Sequence, residues 1–143
     1  LYLNVFDRKD PRLSSTLLAL DYVFPETGLF WRAIPEIYFG LSVSTDNVLR
    51  LVPNLSENLT WYKNENLKYS GLIYDLTAGN KFVQINNVRG TIKDEKVCVT
   101  FKKPEGDFKV YVDGKELSSS EYKVSGSKIE ITRDFRACKI EIR

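Results

Sequence analysis

The chain has 143 residues, 43% hydrophobic and 28% charged, with 21 Lys and Arg against 19 Asp and Glu and no His. That length suits one domain whose core can hold without disulfide staples, and the composition excludes disorder over most of the chain. Near-balanced charge argues against a nucleic-acid face, and the lack of His removes Ser–His and Cys–His nucleophilic pairs and most zinc sites.

The opening Leu1-Tyr2-Leu3-Asn4-Val5-Phe6 has no basic leader, long apolar run or small-residue cleavage site, so it does not read as a signal peptide. The lack of any Met fits a piece of a longer or processed chain. Ser14-Ser15-Thr16 before Leu17-Leu18-Ala19-Leu20 predicts a capped turn or two of helix, broken by Phe24-Pro25-Glu26-Thr27-Gly28. Phe30, Ile34, Ile37 and Leu41 then recur at helical steps, predicting one apolar face. Pro35 suits a first turn and Gly40 a helix end.

From Val48 the period becomes two. Predicted strands cover Val48–Val52, Leu59–Lys63, Leu67–Tyr74, Lys81–Ile85, Lys96–Lys102, Phe108–Val112, Glu121–Val124, Lys128–Thr132 and Ala137–Ile142. Turn-forming groups lie between them, among them Ala78-Gly79-Asn80, Pro104-Glu105-Gly106 and Ser125-Gly126-Ser127. Asp113-Gly114 is a strong hairpin signal, because a type I′ turn needs positive φ at both central residues. Alternation assigns Val97, Val99, Phe101, Phe108, Val110, Val112, Ile129, Ile131, Ile140 and Ile142 to a core. The fold class is mainly β: an antiparallel β-sandwich, jelly-roll-like, preceded by a short α-helical N-terminal segment. Cys98 and Cys138 both fall in β-patterned segments, as half-buried thiols or as a disulfide between neighbouring strands; Cα separation decides.

One resemblance joins these pieces. The run Thr27 to Leu41 (TGLFWRAIPEIYFGL) leads into Asn47 to Leu55 (NVLRLVPNL), then Trp61, Leu67-Lys68-Tyr69-Ser70-Gly71 and Tyr74-Asp75-Leu76. This resembles the junction in bacterial glycoside hydrolases and disaccharide phosphorylases built on a six-fold α/α barrel, where a Gly-Leu step ends the last helix. A strand of the form Leu-Arg-Leu-x-Pro-x-Leu then opens a C-terminal β-sandwich; α-rhamnosidases and the cellobiose and maltose phosphorylases are similar here. The resemblance covers residues 27–85, under half the chain. It implies that residues 1–44 end a truncated barrel, that residues 45–143 form an accessory sandwich, and that the catalytic carboxylates lie upstream.

No catalytic residue, metal ligand or cofactor is therefore assigned. Asp21, Glu26 and Glu36 are the only acids near the aromatic helical region; Glu36 suits the start of its helix and Glu26 a turn. The carbohydrate-contact candidates are Trp31, which would stack on a sugar face, Arg32, which would hydrogen-bond hydroxyls or phosphate, and Trp61 and Tyr62. Each has a competing reading as packing: Phe30 and Trp31 between helix and sandwich, and at most one of Trp61 and Tyr62 in the core. An exposed platform of Trp61-Tyr62 with Tyr69 and Tyr74 would instead mark a carbohydrate-binding module. Asn54-Leu55-Ser56 and Asn58-Leu59-Thr60 match the glycosylation triplet, which arises often by chance.

The expected function is a non-catalytic accessory domain of a carbohydrate-active enzyme. Its partner is the rest of that enzyme, with an oligosaccharide or a second copy as further contacts, and neither nucleic acid nor membrane is expected. Without a leader the expected location is cytoplasmic. The alternatives are a free-standing carbohydrate-binding module and a structural sandwich that binds another protein.

Overall fold

A two-residue period commits alternate side chains to opposite faces, so each apolar stripe must find a second layer to cover it. The computed structural model describes residues 36–43 and 46–143, which belong to a compact unit spanning Pro35–Arg143. The predicted turn at 14–20, the break at 24–28, and Phe30, Trp31, Arg32 and Ile34 lie outside the described residues. Of what is described, 54% is strand, so the unit is mainly β.

The strands are β1 (Ser42–Val43), β2 (Val48–Leu51), β3 (Tyr62–Tyr69), β4 (Leu72–Gly79), β5 (Phe82–Arg89), β6 (Lys96–Lys102), β7 (Val110–Val112), β8 (Lys115–Glu116), β9 (Lys123–Ser125), β10 (Lys128–Asp134) and β11 (Cys138–Ile142). One sheet has the order β1-β2-β6-β10-β9, and the other β3-β4-β5-β11-β7-β8. Every neighbouring pair is antiparallel except β2 and β6, which run parallel with Leu49 opposite Val97. Parallel neighbours require a crossover. Here the chain leaves β2, forms β3 to β5 in the second sheet, and returns to the first at β6.

Both sheets empty their apolar stripes into one core. The first contributes Leu49, Leu51, Val97, Val99, Phe101, Ile129 and Ile131; the second Tyr69, Leu72, Tyr74, Leu76, Val83, Ile85, Val110, Ile140 and Ile142. The inward residues expected on β6, β7, β10 and β11 are buried, and Phe108 packs against the core half-buried. Cys98 on β6 and Cys138 on β11 are both buried free thiols in different sheets. That decides between the two readings of the pair.

Several expectations need correction. Leu67–Tyr74 is not one strand: Ser70 and Gly71 have φ of 50° and 78° and turn the chain between β3 and β4. Only glycine enters that region freely, so Gly71 is what permits so tight a reversal inside an otherwise strand-like run. The Asp113-Gly114 hairpin forms as expected, with φ of 51° and 81°. Strand β3 starts at Tyr62 instead of Leu59, β4 runs on through Ala78 and Gly79, and β5 continues to Arg89. Residues 36–39 are helical and Gly40 ends the turn with a φ of 55°. Its inward side chain is Phe39, fully buried, whereas Ile37 is 64% exposed. One described turn is too short for a helical period to choose its face; the contact with the end of β2 chooses, through Val52 N–H donating to the Phe39 carbonyl at 2.8 Å.

Where β10 hands the chain to β11, Phe135 closes the core. Its ring meets Tyr74 edge-on at 5.2 Å and Tyr69 at 5.8 Å, and its backbone N–H donates to the Glu95 carbonyl at 2.9 Å. Glu95 is itself buried, its carboxylate accepting from the Ser70 hydroxyl and the Lys93 N–H, and the Lys93 bond leads the effects that hold its pKa below the ordinary range. Beside it the buried Tyr69 hydroxyl has no hydrogen-bond partner among the described residues.

Phe135→Ala is expected to remove about 3–5 kcal/mol of unfolding free energy, the range for emptying a buried aromatic site. Tyr69→Phe keeps the ring and deletes an unsatisfied hydroxyl, so it should not lower stability. Urea unfolding of the two variants checks both; a loss under about 1 kcal/mol for Phe135→Ala would contradict the packing role.

Candidate functional site

Two regions outside the core carry unusual chemistry. The first lies where the chain crosses from β2 to β3. Asn54 N–H donates to the Tyr38 carbonyl at 3.4 Å, and Tyr38 stacks on Tyr62 with ring centroids 5.1 Å apart. The Phe39 ring also meets Tyr62, tilted, with centroids 5.3 Å apart. Further along, Leu55 exchanges two hydrogen bonds with the Asn80 side chain, tying the crossing segment to the β4–β5 turn. Large apolar side chains sit exposed along this junction: Ile37, Val43, Val52 and Trp61, the last at 55%.

The structure therefore separates the sequence candidates. Trp61 is exposed; Tyr62 is half-buried, stacked on Tyr38 and tilted against Phe39; Trp31 and Arg32 lie outside the described residues. Tyr69 and Tyr74 are core residues, so no platform of four exposed rings forms. Glu36 is described and exposed, whereas Asp21 and Glu26 are not among the described residues.

The second region is a cleft of about 500 Å³ on the outer face of the second sheet, lined by Glu65, Asn66, Asp75, Asn87, Val88 and Arg89. Strand β4 sets its floor. Tyr74 and Leu76 point into the core, so Asp75 between them faces outward, yet its neighbours cover it to 6% exposure. The register breaks on both sides of it. Between β3 and β4 the pairing jumps from Asn64/Leu76 to Leu67/Tyr74, and between β4 and β5 from Asp75/Asn86 to Ile73/Arg89. Each jump inserts one extra residue, a β-bulge, into the strand beside β4. Asn66 and Asn87 lie in these bulges with φ of 58° and 51°, a region that Asn tolerates better than most residues.

The Asp75 carboxylate binds both bulges. One oxygen accepts the Asn66 backbone N–H at 2.9 Å, the other the Asn87 side-chain amide at 2.6 Å. Those two bonds, the backbone one first, hold the Asp75 pKa below the ordinary aspartate value against the opposing effect of burial. Arg89 donates to the Asn66 side-chain oxygen at 2.5 Å, and Lys63 pairs with Glu65 at the rim. Gln84 and Asn86 continue the polar surface along β5, 3.3 Å apart.

The sequence reading missed this cleft. One signal was present: Asp75 interrupts the apolar run Leu72-Ile73-Tyr74, and Asn-rich segments flank it in both neighbouring strands. Among the described residues no group of three or more His, Cys, Asp or Glu is arranged to hold a metal ion, and no helix is long and apolar enough to cross a membrane. No family model, curated protein or solved structure matches the chain.

Because its folded pKa is depressed, Asp75 adds stability that is fully present above the ordinary aspartate value near pH 3.9 and is lost as pH falls through the folded value. Asp75→Asn should melt below wild type at neutral pH, and the gap should narrow on acidification below about pH 4. Thermal melts across pH check this; a gap of constant size would refute the charged staple.

Proposed function

We propose that this unit is a non-catalytic accessory domain of a carbohydrate-active enzyme, a glycoside hydrolase or phosphorylase, and folds as a jelly-roll-like sandwich seated against a helical domain. One observation carries the reading: Ile37, Val43, Val52 and Trp61 are all exposed along the stretch of chain between the helical turn and β3. Large apolar side chains left exposed along one stretch of chain suit a surface that another body covers. The resemblance of residues 27–85 to the barrel–sandwich junction supplies that body, since there the last barrel helix enters the sandwich. The burial of Tyr69 and Tyr74 supports docking over a free-standing carbohydrate-binding module, because it leaves Trp61 without a coplanar set of rings.

In this reading Trp61 and Ile37 are docking residues, Tyr62 braces the helical turn, and Trp31 and Arg32 are the residues proposed to contact the substrate of the intact enzyme. The reacting acids belong to the helical domain. Two experiments test it. The reading frame upstream of Leu1 should encode several hundred residues of paired helices, and the protein expressed from it should hydrolyse or phosphorolyse a glycoside. The 143-residue chain alone should release no product from the same substrates. Turnover by that chain, or an upstream frame without helical pairs, overturns the reading. In the longer protein, Ile37→Asp and Trp61→Asp should each weaken domain association roughly tenfold or more, as expected for losing a buried large apolar side chain. Limited proteolysis at the junction measures that loss.

A further inference from the structure

The cleft over Asp75 is an open, polar depression whose floor and walls are held by defined bonds. Two bulges open it, a buried carboxylate holds both bulges, and the side chains at its mouth are already fixed by bonds to one another. Its volume lies within the ~300–1,000 Å³ common among small-molecule sites. It is also separate from the apolar junction at Ile37 and Trp61, and the docking role leaves it unused.

Its chemistry selects the ligand. Glu65 and Asp75 bring two negative charges, Arg89 and Lys63 two positive ones, and Lys63 already pairs with Glu65. An anion would meet two carboxylates and a cation would meet a guanidinium and an ammonium, so neither gains a net field. The mouth instead offers donors and acceptors side by side. The Asn66 side chain accepts from Arg89 through its oxygen and keeps its amide hydrogens for a ligand. Asn87 gives its amide to Asp75 and keeps its oxygen, and Glu65 meets Lys63 through one oxygen and keeps the other. Among the described residues these remaining atoms form no hydrogen bond. Val88 adds a small apolar surface among them. Adjacent hydroxyls on a ring, each both donor and acceptor, with C–H groups between them, match that arrangement.

We propose that this cleft binds a neutral sugar chain, with Asn66, Asn87, Glu65 and Arg89 contacting ring hydroxyls and Asp75 holding the two asparagines in position. The inference needs only the described unit. It holds whether or not the unit belongs to a carbohydrate-active enzyme, so its failure and the failure of the docking reading are separately visible.

The test is a titration of the 143-residue chain, followed by amide nitrogen–proton correlation spectra. The probes are neutral gluco-, manno-, xylo- and galacto-oligosaccharides, with calcium chloride and inorganic phosphate as separate arms. At least one neutral oligosaccharide should produce saturable shifts centred on Asn66, Asp75, Asn87, Val88 and Arg89. Glu65→Ala and Arg89→Ala, both at exposed positions, should each weaken that binding about tenfold, the effect of losing a hydrogen bond to a charged group, while thermal melting stays near wild type. The proposal is overturned if no neutral oligosaccharide moves these amides or if the shifts gather at Trp61. It is equally overturned if calcium or phosphate moves the cleft amides and the sugars do not.

Discussion

The Asp75 carboxylate is where the fold and its outer surface constrain each other. Strand β4 has β3 on one side and β5 on the other, and Tyr74 and Leu76 lock it into the core. The residue between them has no choice of face. A carboxylate held there by covering neighbours must find donors, and both come from residues that the bulges displace: the backbone of Asn66 and the side chain of Asn87. Without the bulges the Asn66 N–H would sit in the regular ladder and the Asn87 side chain would follow a different strand phase. The packing inside the sheet and the cleft outside it are thus two consequences of one strand.

The two ends of β4 are secured differently. Near Leu72, polar bonds dominate: Glu95 gathers the Ser70 hydroxyl and the Lys93 N–H, and its carbonyl takes the Phe135 N–H, so the loop entering β6 and the turn entering β11 share one anchor. Near Gly79, the crossing segment 52–61 lies against the β4–β5 turn through Leu55 and Asn80, and against the helical turn through Tyr38, Phe39 and Tyr62. Large apolar side chains are exposed toward both ends, Trp61 near Gly79 and Ile92 next to Lys93. The ion pairs on the outer strands, such as Lys109 with Glu116 and Arg136 with Asp113, are solvent-exposed and contribute little to holding the sheets together.

Strict alternation made part of this architecture readable before any coordinates. On β6, Val97, Val99 and Phe101 follow a clean period of two, and they are buried. The Asp113-Gly114 hairpin was equally plain, because few dipeptides accept positive φ twice. Where the period broke, legibility ended. The turn at Ser70-Gly71 hides between Tyr69 and Leu72, both core residues, so the apolar run looked continuous. Phe135 sits in a connection with no period at all, and its burial depends on Tyr69 and Tyr74 from distant positions in the chain. The cleft was hidden for the same reason: a bulge shifts the phase of its strand, so no periodic reading places Asn66 and Asn87 on either side of Asp75. Of the four sugar-contact candidates, the structure describes Trp61 and Tyr62, whose opposite environments follow the rule that neighbours on an extended chain face apart.

The two thiols have a practical consequence. Cys98 lies on β6 in one sheet and Cys138 on β11 in the other, both shielded from solvent, and burial pushes the Cys138 thiol up to about 11. At neutral pH that thiol is protonated and inert to alkylating reagents until its strand peels away. Each layer therefore carries its own chemical clock. The order in which the two sulfurs become modifiable reports which half of the molecule opens first, with no probe grafted onto it.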